Sequence, residues 1–266
     1  MKKKIGYVQN SPQFGDKKTN FSQIQDLLKN ISADLIVLPE LFATGYTFTS
    51  RNEVEMLAES DQGETAIFMK HLSLQTGAVI VGGFIENSEE NYYNSAMIVD
   101  SSGVRGIYRK VHLFNKEKLW FKPGNEGFKV FDVMGMKIGV MICFDWIFPE
   151  SARSLALNDA EIIAHPANLV LPYCQKAMTT RCIENHIFAI TSNRIGVEKR
   201  GEDKFDFTGG SQITDLNGNI LSSAPKNTEF VDIVEVDLSL SHDKSLNPYN
   251  NLLTDRKPKF YTSLNR

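Results

Sequence analysis

KIGVMICFDWIFPE (137–150) begins as a strand and ends as a helix. From Ile138 to Cys143 it is apolar at nearly every position, as expected of a strand covered on both faces. FDWIF then turns, and Pro149, whose fixed φ suits a first helical turn, opens a helix through ESARSLALN (150–158). In α/β proteins the groups that do chemistry collect just past the carboxyl ends of strands, which is where Cys143 stands.

Similar apolar runs extend in both directions. KIGYVQ (4–9), DLIVLPE (34–40), AVIVGGFIE (78–86), NSAMIVDS (94–101) and GFKVFDV (127–133) precede it. EIIAHPA (161–167), IFAITSN (187–193), GGSQITD (209–215) and FVDIVEVDL (230–238) follow. They are rich in Ile, Val and Phe and bounded by Gly, Pro, Asn or Asp, which predicts strands. Between them lie helical spacings: Phe21, Ile24, Leu27, Leu28 and Ile31 on one face, then 62–76, 150–158 and 175–188. This alternation predicts an α/β fold, and so many strands favour two packed sheets over one. The expected architecture is a four-layer αββα sandwich, with helices on the outer faces of both sheets. No low-complexity linker interrupts it, so residues 1–266 are read as one domain.

Composition narrows the function. Of the 266 residues 42% are hydrophobic and 23% charged, enough for a full core. The net charge of −3 lacks the basic excess of a nucleic-acid binder. No apolar run is long enough to span a membrane, and MKKKIGYVQN has the charges of a signal peptide without its apolar region. Three cysteines cannot all pair, so the chain is expected in the cytoplasm, with reduced thiols. The five histidines show no HExxH spacing, and Gly82-Gly83 lacks a phosphate-loop context, so neither metal nor other cofactor is expected.

Three residues stand out: Glu40 after DLIVLP, Lys110 in IYRKVHLF, and Cys143. Singly, each has an ordinary reading as a solvated turn carboxylate, a surface cation and a small core residue. As an ordered set they are specific. LPELFATGY (38–46), YRKVHLF (108–114) and GVMICFDWIFPE (139–150), backed by HPANLVLP (165–172), RCIENHIF (181–188) and NRIG (193–196), resemble the nitrilase superfamily. These are carbon–nitrogen hydrolases with a Glu-Lys-Cys triad, and the likeness is closest to their archaeal nitrilase-like branch.

The resemblance implies hydrolysis of a non-peptide carbon–nitrogen bond in a small amide, through a Cys143 thioester with release of ammonia. Glu40 would shuttle protons. Lys110 would lower the thiol pKa and, with the backbone N–H of Phe144, hold the oxyanion. Glu117, seven residues after Lys110, is similar to a second glutamate of these families that positions the lysine or substrate. Asn168 and Asn193 fall where the resemblance implies loops beside the nucleophile, and Trp146 and Tyr46 are candidates for the substrate pocket. The tail NPYNNLLTDRKPKFYTSL, within 247–266, has three aromatics and is expected at a two-fold interface, as in similar proteins, in a homodimer or a higher homo-oligomer.

Within this class a nitrile or an N-carbamoyl amine are the alternative substrates. Phe144-Asp145 stands where dedicated nitrilases carry Trp-Glu, which favours an amide. Two readings of other classes compete: a Cys143–His165 thiol hydrolase, and a non-catalytic scaffold.

Overall fold

The computed structural model describes residues 2–89 and 91–265; the final residue of the expected tail, Arg266, lies outside them. The first half runs β1 (Lys2–Gln9), α1 (Lys17–Leu27), β2 (Leu35–Val37), α2 (Arg51–Leu57), α3 (Glu64–Thr76) and β3 (Val79–Ser88). β4 (Asn91–Asp100), β5 (Gly103–Arg109) and the short α4 (Glu117–Trp120) follow. Next come β6 (Val130–Val133), β7 (Met136–Val140), a 3₁₀ turn (Cys143–Ile147) and α5 (Pro149–Leu157). Then come β8 (Ile162–Pro166), α6 (Cys174–Asn185) and β9 (Phe188–Ser192). The remaining strands are β10 (Val197–Arg200), β11 (Asp203–Asp206), β12 (Gln212–Thr214), β13 (Ile220–Ser223), β14 (Phe230–Asp237), β15 (Ser245–Asn247) and β16 (Asn250–Asn251).

Two six-stranded sheets form, in the orders β14-β1-β2-β3-β4-β5 and β13-β12-β9-β8-β7-β6. Each has three parallel strands at its centre and antiparallel neighbours outside them. Strand alternation sorts the side chains into layers. Ile5, Tyr7, Leu35, Val37, Val79 and Val81 face the second sheet, packing with Ile138, Val140, Ile162 and Ile190. Val8, Ile36, Leu38 and Ile80 turn outward to Ile24 and Leu28 beside α1 and to Met69 and Leu72 of α3. Leu155 of α5 and Met178 and Cys182 of α6 cover the second sheet. This is the expected αββα sandwich.

Some elements differ from expectation. α1 ends at Leu27, with Leu28 as its cap, so Ile31 lies beyond the helix. β5 (GVRGIYR) carries two glycines, which mask its strand pattern. Gly106 has a reason to be there: a Cβ would lie 2.3 Å from the Phe131 ring. The hairpin β10–β11 and the short helices α2 and α4 are also absent from the apolar periodicity. The expected tail is not featureless: β15 pairs with β16.

Candidate active site

The ends of β2, β5, β7, β8 and β9 converge at one edge of the sandwich, and they supply Glu40, Lys110, Cys143, Asn168 and Asn193 respectively. Glu40 lies three residues past β2, and Leu41 after it adopts a left-handed φ of 48°. Gly83 on the neighbouring strand makes this possible: a Cβ there would stand 2.7 Å from Glu40 Cα and 2.5 Å from the Leu41 nitrogen. Lys110 follows β5 directly, its N–H donated to Asn94 O at 2.9 Å and its carbonyl accepting from Gly124 at 2.8 Å.

Glu40 and Lys110 are both 0% exposed. Lys110 Nζ donates to Glu40 Oε1 at 2.7 Å and to Glu117 Oε1 at 2.8 Å. An ammonium has three donors, so one remains. Glu40 Oε1 also accepts from Asn94 Nδ2 at 2.7 Å, whereas Glu40 Oε2 is buried with no partner among the described residues. Glu117 is fixed from behind by the Tyr46 hydroxyl, which donates at 2.6 Å, and by Phe114 N–H at 3.2 Å.

Cys143 is held at an elbow with φ 41°, a left-handed conformation that costs a non-glycine residue about 1–3 kcal/mol. Two groups sustain it. His165 donates Nε2–H to the Cys143 carbonyl at 2.9 Å. Asp145, fully buried, accepts from Ile142 N–H (2.9 Å), the Tyr108 hydroxyl (2.7 Å), His112 N–H (3.1 Å) and His112 Nδ1 (2.8 Å). Asp145 N–H donates to Ile142 O, so the turn's own hydrogen bonds begin after Phe144 and the Phe144 N–H lies ahead of them. The Cys143 thiol faces Asn168 O at 3.7 Å, while Asn168 Nδ2 donates to Glu40 O at 2.9 Å.

Burial, reinforced by the carboxylates of Glu40 and Glu117, pushes the Cys143 thiol well above its ordinary value. Lys110 pulls the thiol the other way, as expected of a neighbouring cation. For Lys110, burial favours the neutral amine, but Glu117 and Glu40 outweigh it and hold the ammonium above the usual lysine range. Burial raises Glu117, with Lys110 pulling the other way.

The remaining residues divide. Trp146 lines the recess over Cys143 together with Phe114, Phe144, Asn168 and Leu171. Tyr46 instead lines a crevice beyond Glu117 with Trp120 and Phe205. Asn193 sits one layer back: its Oδ1 accepts from Leu169 N–H at 2.8 Å and its Nδ2 donates to Gly209 O at 2.7 Å, which braces the Asn168 loop. His165 has both ring nitrogens engaged, Nδ1 with Thr191 Oγ1 at 3.1 Å, and burial lowers its pKa to about 4. It is a neutral prop for the elbow, which removes the base a Cys–His hydrolase would need.

Asn94, Asp145, Tyr108 and His112 support the site without having been expected to. So do Arg194 and Glu198: Glu198 accepts from the N–H groups of Tyr46 and Thr47 and pairs with Arg194 at 3.0 Å. Asp145, Tyr108, His112 and Arg194 carried a sequence signal, lying within the quoted blocks, whereas Asn94 and Glu198 carried none. Among the described residues no cluster of His, Cys, Asp or Glu is placed to hold a metal, and no helix is long and apolar enough to cross a membrane.

The model of the carbon–nitrogen hydrolase family matches residues 4–243. The chain is 46% identical over 262 residues to the nitrilase of Pyrococcus abyssi, covering 97% of this chain and 98% of that one. It is 32% identical over 274 residues to the N-carbamoylputrescine amidase of Arabidopsis thaliana, covering 94% and 91% respectively. The crystal structure of the carbon–nitrogen hydrolase from Helicobacter pylori G27 superposes with a TM-score of 0.90 at 26% identity, over 100% of this chain and 99% of that one.

Proposed function

Because the chain belongs to the carbon–nitrogen hydrolase family, we propose that Cys143, Glu40 and Lys110 are its catalytic residues and that its substrate is a small uncharged aliphatic amide. The observation that carries the assignment is the division of labour on one carboxylate. Glu40 Oε1 is held by Lys110 and Asn94, and the buried Oε2 is left free to take a proton.

The thiol attacks the amide carbon as Glu40 Oε2 accepts its proton, forming the carbon–sulfur bond. The carbonyl oxygen becomes an oxyanion, received by the third Lys110 donor and the Phe144 N–H. Glu40 passes the proton to the amide nitrogen, the carbon–nitrogen bond breaks, and ammonia leaves a thioester. Glu40 then takes a proton from water, the hydroxide adds to the thioester, and the expelled sulfur regains its proton as the acid departs. Glu117 keeps Lys110 in place throughout.

The recess over Cys143 is lined mainly by aromatic and aliphatic side chains beside Asn168, and among the described residues no carboxylate lines it to receive a distal ammonium. That disfavours an N-carbamoyl diamine. A nitrile is the second reading, favoured by the likeness to the Pyrococcus abyssi nitrilase; the Phe144-Asp145 pair favours the amide. Ammonia release from short amides, nitriles and N-carbamoyl amines, each beside Cys143→Ala, tests the assignment: ammonia from the wild type alone supports it, and equal release by the variant refutes it.

We further place the enzyme in the cytoplasm as a homodimer, with residues 1–266 one catalytic unit and the 247–266 tail at the two-fold interface. Tyr249 (92% exposed), Phe260 and Leu264 are apolar groups awaiting cover. Tyr249→Asp should lower the molar mass seen by light scattering; an unchanged monomer mass in the wild type would refute the dimer.

A further inference from the structure

We propose that the Phe144 ring is the wall that sets the length of acyl group the enzyme accepts, an inference that rests on the recess over Cys143 being the acyl site. Phe144 is unusual in lining two cavities at once. On one side is the recess with Cys143, Trp146 and Leu171, which leaves about 10 Å³ of open space, room for about one water. On the other is a half-open groove of about 480 Å³ bounded by Val111, Leu113, Lys118, Phe121, Lys122 and Phe148. The larger space is of the size that small-molecule sites occupy, and the smaller is not.

The ring is held between Phe114 (centroids 5.0 Å apart) and Phe148 (5.5 Å, edge to face). Phe148 stacks in turn on His112 at 3.8 Å, and His112 is tied to Asp145. The partition is therefore anchored to the same carboxylate that braces the nucleophile elbow. An acyl chain growing outward from the Cys143 sulfur meets this ring, so each added methylene makes the collision worse. With the ring removed, the two spaces join and a long apolar chain gains the walls of Val111, Leu113 and Phe121.

Labelling of Cys143 with methyl and hexyl methanethiosulfonate, followed by peptide mass, reads the wall without requiring a substrate. The sulfur attacks the sulfenyl sulfur, forms a disulfide and expels methanesulfinate, its proton going to solvent. Phe144→Ala should raise the hexyl-to-methyl rate ratio at Cys143 about tenfold or more, the discrimination expected of a few methylenes in a tight apolar pocket. Phe144→Leu, a milder change if the alanine variant does not fold, should raise it less, with Cys174 and Cys182 as buried internal controls. An unchanged ratio in both variants overturns the proposal. Ammonia release from propionamide and hexanamide is followed in parallel. Failure of every amide would overturn the catalytic reading, while the labelling ratio would still decide the role of Phe144.

Discussion

The Tyr108 hydroxyl donates to Asp145 Oδ2 at 2.7 Å, joining the strand that ends just before Lys110 to the turn that begins at Cys143. These elements belong to different sheets, and this bond, with the two His112 bonds to Asp145, holds their ends in register. Asp145→Ala would leave up to four donors without their acceptor, each orphaned buried group costing about 1–3 kcal/mol. Tyr108→Phe removes this bond and the weaker one that the hydroxyl accepts from Val111 N–H at 3.4 Å, and should cost about 1–2 kcal/mol in urea unfolding. Its kcat should fall more than KM changes, because the lysine and the cysteine drift apart. Wild-type kcat in Tyr108→Phe would contradict the link.

Gly83 offers a second handle on Glu40. Gly83→Ala places a methyl group 2.7 Å from Glu40 Cα and should destabilise by about 1–3 kcal/mol through overpacking. Ammonia release should fall well beyond the loss of folded protein, since Glu40 must move. Activity that merely tracks the folded fraction would show that Glu40 tolerates the shift.

Removing Lys110 leaves Glu40 and Glu117 buried side by side without their cation. Lys110→Ala should cost about 3–5 kcal/mol, the usual penalty for breaking a buried pair. Its kcat should fall at least about 10²-fold through loss of an oxyanion donor. Lys110→Ala that folds and retains activity would remove the lysine from the mechanism.

His165 predicts a pH dependence of stability. Its pKa is depressed from 6.5 to about 4 by burial, so the unfolded chain binds a proton there more readily than the folded one. The contribution is therefore present above 6.5 and lost as pH falls towards about 4, amounting to about 3 kcal/mol. His165→Gln, which can still donate to the Cys143 carbonyl, should flatten this part of the stability curve and keep substantial activity. An inactive, well-folded His165→Gln would revive the Cys–His mechanism.

The proposed catalytic residues could be singled out because Glu40 and Cys143 end apolar runs, in LPE and MICFD, and Lys110 stands in the otherwise apolar and aromatic IYRKVHLF. The outer layers were legible because α1 and α3 repeat apolar residues at helical spacing. What stayed hidden depends on contacts made across the chain. Asn94 reaches Glu40 from 54 residues away, and Glu198 reaches the Tyr46 loop from 152. No local spacing encodes such a partner. The same holds for the thiol's surroundings: the cation next to the cysteine could be guessed, but its burial beside two carboxylates could not.

The central claim is a covalent acyl-enzyme on Cys143, and nucleophile partitioning during turnover of propionamide tests it most directly. Hydroxylamine competes with water for a thioester, attacking through nitrogen and expelling the Cys143 sulfur. The account predicts propionohydroxamate alongside propionic acid, in a ratio that rises with hydroxylamine concentration, their sum equal to the ammonia released, and neither product from Cys143→Ala. Propionic acid as the sole product at every hydroxylamine concentration, or unchanged turnover in Cys143→Ala, would contradict it.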